Sequence, residues 1–378
     1  MHFLAPARAS IPAVKRKVVL QAYVSSRGAH DLAVTLSGKP VISYGPGGRS
    51  SRTGRVATVF GGNGFLGRYL VSKLARHGTI VMVPFREEMT KRFLKVTGDL
   101  GVVNFVEFDI RNIESLEESV KHSDIVYNLI GRDYPTKNFS FYDVHVEGTR
   151  RIANAVAKYG VDRFIQVSSH DASPDSPSEF LRTKYEAEQV ARDIVPNTTI
   201  VRPAPMVGWE DKLIKKIISW PSYTVNNAQQ EIRPVHVFDV ALALQKIGFD
   251  DSTVGNTYEL YGPDAVTVDA VRRICESEAL KPYPYYNLPK KLYANVSEFL
   301  NQILWWPVGC ADEVERMTIN QKVDKSALTF ADLGMKPDKL EDYAGQYVRH
   351  YRGNLFQDVA PDSVAERKRE REFIHVSR

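Results

Sequence analysis

Gly61, Gly64 and Gly67 recur at three-residue intervals in VATVFGGNGFLGRYLVSKL, between a short apolar run and an amphipathic one. Glycines at the junction of a strand and a helix permit a tight turn and let backbone N–H groups approach a pyrophosphate, whose charge is favoured at a helix N-terminus. Gly62, Asn63, Phe65 and Leu66 complete the turn and count with it as candidate cofactor contacts. Nineteen residues past Gly67, the next apolar run ends at Arg86. An acid at such a place takes a ribose 2′-hydroxyl, whereas an arginine accommodates a 2′-phosphate. The pattern therefore favours NADP(H) over NAD(H), the plain alternative being a surface arginine paired with Glu87 or Glu88. Asp109 and Ile110 end the third run, where they can edge an adenine. Gly131 follows the fourth and lets backbone pass close to a cofactor.

These residues need a scaffold that brings strand ends together. Short apolar runs at residues 56–60, 79–85, 102–108, 124–130, 163–168 and 198–203 alternate with amphipathic stretches such as GFLGRYLVSKLARHG and FYDVHVEGTRRIANAVAKYG. Strands separated by helices predict an α/β fold with a Rossmann-like doubly wound parallel sheet, covered on both faces. After Pro203 the rhythm changes. EDKLIKKIISW, VHVFDVALALQKIG and TVDAVRRICESEAL read as helices, with one further strand candidate in NTYELYG, and predict a smaller, mostly helical C-terminal lobe. The expected division is a leader over 1–27, an extended connector over 28–54, the nucleotide-binding domain over 55–208, the lobe over 209–355 with 234–262 returning to the first domain, and a charged tail over 356–378. In RPVHVFDVALAL, Val237, Val240 and Ala241 read as core and His236 as a structural histidine. The Tyr- and Trp-rich segment 283–306 reads either as a contact face for protein or lipid headgroups or as aromatic core.

Composition removes several classes of function. The two cysteines, Cys275 and Cys310, are far apart and form no CxxC, and the histidines show no HExxH, so neither a disulfide framework nor a metal site follows from spacing. The net charge of +5 equals that of the acid-free first 27 residues, which hold Arg8, Lys15, Arg16, Lys17 and Arg27. The remainder is neutral and carries no nucleic-acid footprint, while the basic leader reads as a mitochondrial transit peptide. No apolar run reaches the roughly 20 residues that span a bilayer.

VFGGNGFLGRYLV, FDI, NLIG, VSS and VRPAPMVG, in that order, resemble the short-chain dehydrogenase/reductase superfamily in its extended, atypical form. GRSSRTGRVATVFGGNGFLGRYLV, GDLG, NLIGRDYPTKNFSF and FLRTKYEAE are similar to the nucleotide-binding accessory subunit family of mitochondrial respiratory complex I, the alpha subcomplex subunit 9 family. The resemblance implies that Leu129, Ile130, Val167, Ser168, Lys184 and Pro203 line the cofactor as well. In the superfamily a serine after the fifth strand, a tyrosine and a lysine one helical turn on are catalytic. The matching positions are Ser169, Phe180 and Lys184, and a phenyl ring has no proton to move. General acid catalysis is worth about 10²- to 10⁴-fold, and Tyr185 is no substitute because it lies roughly 100° around the helix from Lys184. The resemblance thus implies a non-catalytic accessory subunit that holds NADPH as a structural ligand. It implies a peripheral place on the matrix side of the inner membrane, near the junction of the peripheral and membrane arms, with other complex I subunits as partners.

Overall fold

The computed structural model describes residues 30–35, 38–45, 51–219, 222–303, 309–324 and 326–353. The expected leader and charged tail lie outside the described residues, as do residues 304–306 of the aromatic segment.

Seven strands form the main sheet: β1 Val56–Phe60, β2 Ile80–Phe85, β3 Val103–Glu107, β4 Ile125–Asn128, β5 Arg163–Val167, β6 Thr199–Pro203 and β7 Thr257–Leu260. Their order is β7-β6-β5-β4-β1-β2-β3, every neighbouring pair parallel. Strands rich in valine and isoleucine suit a sheet buried on both faces. On one face α1 (Phe65–Arg76) packs against α6 (Val237–Phe249), joining Leu70 and Leu74 to Val240, Ala241 and Leu244 in the largest apolar core. On the other, α2 (Ile113–Val120), α3 (Gly148–Tyr159) and α4 (Glu179–Ile194) bury Leu116, Ile152, Val156 and Ala191. Each strand read from the sequence is present, and β7 is the NTYELYG candidate.

The lobe is built on α5 (Lys212–Ile218), α7 (Val268–Ala279) and α10 (Leu340–Val348), which bury Ile214, Ile217, Val271, Cys275, Tyr343 and Tyr347 in a core of their own. Two more helices, α8 (Lys290–Ile303) and α9 (Ala311–Arg316), lie between α7 and α10 in the chain. Burial pushes the Cys275 thiol up to about 12, so it is inert filling, and neither cysteine is in a disulfide.

One expectation changes. The segment read as an extended connector contains an antiparallel ribbon, His30–Val34 against Pro40–Tyr44. Its residues Val41 and Ser51 are buried, and Thr53 N–H bonds to the carbonyl of Gly78 at 3.0 Å. The left-handed Gly38 (φ +82°) belongs to the turn. Abundant Gly, Ser and Pro hid the short apolar alternation that pairs the two runs.

No helix among the described residues is long and apolar enough to cross a membrane.

Candidate functional site

The strand order reverses between β1 and β4, and the glycine loop sits at that crevice. Gly61 is left-handed (φ +76°), and a Cβ there would lie 3.1 Å from the backbone carbon of Leu129. A Cβ on Gly67 would come within 2.3 Å of Gly61 O and 2.6 Å of Gly62 Cα, and one on Gly62 within 2.9 Å of the Val83 side chain. These three glycines therefore close the turn against β4 and α1. Gly64 differs: it caps α1 with extended backbone, and a Cβ on it would meet only Gly61 O, at 3.2 Å. No side chain caps α1, and its first turn holds no acid. The N-terminal N–H groups and the positive end of the helix dipole are left for an anion. Phe65 and Leu66 enter α1 and pack into the core beneath. Asn63 donates from Nδ2 to the Thr90 hydroxyl at 3.0 Å, whereas its buried Oδ1 has no partner among the described residues.

Arg86 follows β2 and is exposed, and its side chain makes no ion pair or hydrogen bond among the described residues. The carboxylate of Glu88 is held instead by Lys91, at 2.5 Å, and Lys95. The plain alternative, an Arg86 paired with Glu87 or Glu88, is absent among the described residues. Asp109 lies beyond β3, where its carboxylate accepts from the Arg111 N–H at 2.8 Å. Ile110 packs towards Gly148, where a Cβ would approach its side chain to 2.6 Å. Val167 ends β5, Pro203 ends β6, and the buried Ser168 hydroxyl has no partner among the described residues. Ser169 is half-buried one residue further on.

Lys184 is buried on α4 and reaches back to β4, donating from Nζ to the Ile130 carbonyl at 3.2 Å. A Cβ on Gly131 would lie 2.9 Å from that Nζ, so this glycine makes room for the lysine. Burial pulls the ammonium pKa down to about 8, against the opposing charges of Asp133 and Glu188.

One turn earlier, Phe180 faces a different environment. It is buried with Phe141, Leu181 and Cys310. The His145 ring meets it edge-on at 5.2 Å, and the Arg316 guanidinium lies 4.4 Å from its centroid. His145 stands in a π-helical turn, Asp143–Glu147, at the head of α3. Its Nε2 accepts from Arg132 N–H at 3.2 Å and its Nδ1 pairs with the Thr183 hydroxyl at 2.9 Å. Burial, with help from the Lys184 charge, holds this imidazole neutral. The lobe supplies the cover. Asp312 of α9 accepts from Ser178 Oγ at 2.9 Å and from Glu179 N–H at 2.7 Å, adding to the N-cap of α4, while Arg316 donates to the Asp133 carbonyl at 2.8 Å.

Ser169, Phe180 and Lys184 thus sit on β5's exit and α4, as expected. His145, Cys310, Asp312 and Arg316 were not anticipated. A π turn leaves no periodicity signal distinct from an α-helix, and α9 reaches α4 across more than 130 residues of chain.

The sheet, the crossover and the glycine loop define a nucleotide-binding protein of the epimerase and short-chain dehydrogenase type. Residues 57–208 match the NAD dependent epimerase/dehydratase family. Solved structures of similar fold include an NADPH-dependent quinone oxidoreductase of Escherichia coli complexed with NADPH, with TM-score 0.61, 16% identity, and 77% of this chain and 99% of that one covered. Another is UDP-glucose 4-epimerase of Bifidobacterium longum with NAD+ and UDP, with TM-score 0.59, 17% identity, and 78% and 97% covered. Among curated proteins, the mitochondrial NADH-ubiquinone oxidoreductase 40 kDa subunit of Neurospora crassa is 50% identical over 99% of this chain and 100% of its own length. The mitochondrial NADH dehydrogenase [ubiquinone] 1 alpha subcomplex subunit 9 of Mus musculus is 35% identical over 82% of this chain and 84% of its own. The chain belongs to the family of these complex I subunits, the 40 kDa or alpha subcomplex subunit 9 family.

Proposed function

We propose that this protein is a non-catalytic accessory subunit of mitochondrial NADH:ubiquinone oxidoreductase that holds NADPH as a structural ligand and supports assembly and stability of the complex. The observation that carries the reading is the covered Phe180. The proton donor's place holds a phenyl ring, sealed by Arg316, Cys310 and His145, while Lys184 stays aimed at the Ile130 strand end. A site that retains its cofactor side and closes its substrate side suits binding without turnover. Family membership supports the complex and the mitochondrion.

The residues present fit the nucleotide. The N–H groups opening α1 would take the pyrophosphate, Arg86 the 2′-phosphate, Asp109 and Ile110 the adenine edge, and Lys184 the nicotinamide ribose. Leu129, Ile130, Gly131, Val167, Ser168 and Pro203 would line the rest. NADPH would supply a hydride where an acceptor and a proton donor meet it, and Phe180 has no proton to give at the donor's place. The absence of an apolar spanning helix among the described residues suits a peripheral place, which we put on the matrix side near the junction of the arms. Other complex I subunits would be its partners, with lipid headgroups as a second contact.

Gly64→Leu tests this reading. The side chain would project where the pyrophosphate sits and touch little of the folded loop. A ligand present at one hundred times its Kd adds about 2.7 kcal/mol of stability, a large share of a typical ~5–15 kcal/mol margin. Mitochondria carrying the variant should show less assembled complex on a non-denaturing gel. Normal assembly with an empty pocket would remove the structural-ligand role.

A further inference from the structure

Away from the nucleotide crevice, three ligand-type side chains meet where the helical lobe is joined to the sheet domain. His236 precedes α6, Asp239 lies in the first turn of α6, and Asp338 stands two residues before α10. One ring nitrogen and two carboxylate oxygens from these residues lie within 4.8 Å of one another.

The histidine is the informative member. It is 8% exposed and stacked on Tyr343 with ring centroids 4.4 Å apart and planes 18° from parallel. Its Nε2 is 2.8 Å from the Tyr347 hydroxyl. Its Nδ1 is buried and has no hydrogen-bond partner among the described residues. The Asp338 carboxylate approaches that nitrogen only to 3.8 Å, too far for a hydrogen bond. A buried polar atom without a partner costs roughly 1–3 kcal/mol and is rare enough to need a reason. In the tautomer whose Nε2–H donates to the phenol oxygen, Nδ1 presents a lone pair towards two carboxylates, and a cation between them would satisfy all three.

We propose that His236, Asp239 and Asp338 bind one divalent transition-metal ion, zinc by the chemistry of its donors, and that the ion clamps the lobe to the sheet domain. Imidazole nitrogen and carboxylate oxygen are both zinc donors, water can complete the coordination, and two negative charges match the ion's two positive ones. Zinc–ligand bonds of about 2.0–2.2 Å separate ligand atoms by no more than about 4.4 Å, so the exposed Asp338 closes the set by a small side-chain movement. The two acids are already held together, since Asp239 Oδ2 accepts from Asp338 N–H at 3.1 Å. Tyr347 plays the orienting part that metal-bound histidines require at their second nitrogen. Of the nearby lysines, Lys73 packs over the Phe238 ring at 5.8 Å and Lys339 pairs with Asp264 at 3.4 Å.

The experiment uses the full-length chain, stripped with chelator and titrated with zinc and, for its visible spectrum, cobalt. Wild type should take up one equivalent and gain thermal stability. Asp338→Asn alters an exposed side chain and Asp239→Asn keeps an acceptor for Asp338 N–H, so both should fold and bind zinc at least about tenfold more weakly. Tyr347→Phe should weaken zinc by about 10- to 100-fold, an effect that a merely structural tyrosine would not have. Wild type failing to bind either metal at micromolar concentration, or variants binding as tightly as wild type, would overturn the site.

Discussion

On the proposed reading nucleotide choice turns on Arg86, which follows β2 and whose side chain makes no ion pair among the described residues. Arg86→Asp should weaken NADP(H) by about tenfold or more, the size of a lost charge-assisted hydrogen bond of roughly 1.5–3 kcal/mol, and leave NAD(H) nearly untouched. Fluorescence titration with both nucleotides checks this, and equal losses would show that the arginine does not discriminate. Asp211 offers a test of burial in the lobe. Burial raises its pKa to about 6, although its carboxylate caps α5 by accepting from Ile214 N–H at 2.8 Å. A carboxyl with a raised folded-state pKa contributes stability that is full below its unfolded value of about 3.9 and is lost as pH rises through the folded value. Asp211→Asn keeps the cap and removes the titration. Its stability advantage over wild type should therefore grow between about pH 4 and 6 and then level, reaching on the order of 1–3 kcal/mol in denaturant melts. Parallel pH profiles would contradict the assignment.

Among the elements, the loop between β1 and α1 divides its glycines by task. Gly67→Ala would gain roughly 1 kcal/mol in helix propensity. Its Cβ would nevertheless sit 2.3 Å from Gly61 O, which is pinned by Gly64 N–H at 3.0 Å. Overpacking of that kind costs about 1–3 kcal/mol, so Gly67→Ala should lower the Tm of nucleotide-free protein while Gly64→Ala leaves it almost unchanged. Equal thermal shifts would mean that the loop is looser than its contacts indicate. This loop and the sheet were legible because short apolar runs, amphipathic helical runs and glycines at a strand–helix junction are local signals. Lys184 and Phe180 were legible through the resemblance to the superfamily, whose tyrosine and lysine stand four residues apart on one helix. What the chain did not disclose locally is the π turn that aims His145, the ribbon before β1, and α9, whose Asp312 and Arg316 acquire meaning only when folding brings them onto α4. Gly131 was expected to admit a cofactor, and its nearest neighbour is the Lys184 ammonium.

Over the whole molecule, the lobe does for the sheet domain what a substrate would do in a working reductase: it covers α4. Ser178 and Glu179 are tied to Asp312, Asp133 is tied to Arg316 and Cys310, and Phe180 is enclosed between them. The two parts are also joined through the half-buried Arg202, whose guanidinium binds Glu188 at 2.6 and 2.9 Å within a cluster that includes Glu259 and Asp324. On the proposed reading, such a body would gain rigidity from a bound dinucleotide and offer little access to a second reactant. The most direct measurement is a single-turnover experiment on the purified protein, following nicotinamide fluorescence after mixing with aldehydes, ketones and quinones. The account predicts that NADPH co-purifies and that its signal persists through the observation. Rapid oxidation by any of these compounds, or a purified chain that retains no nucleotide, would contradict it.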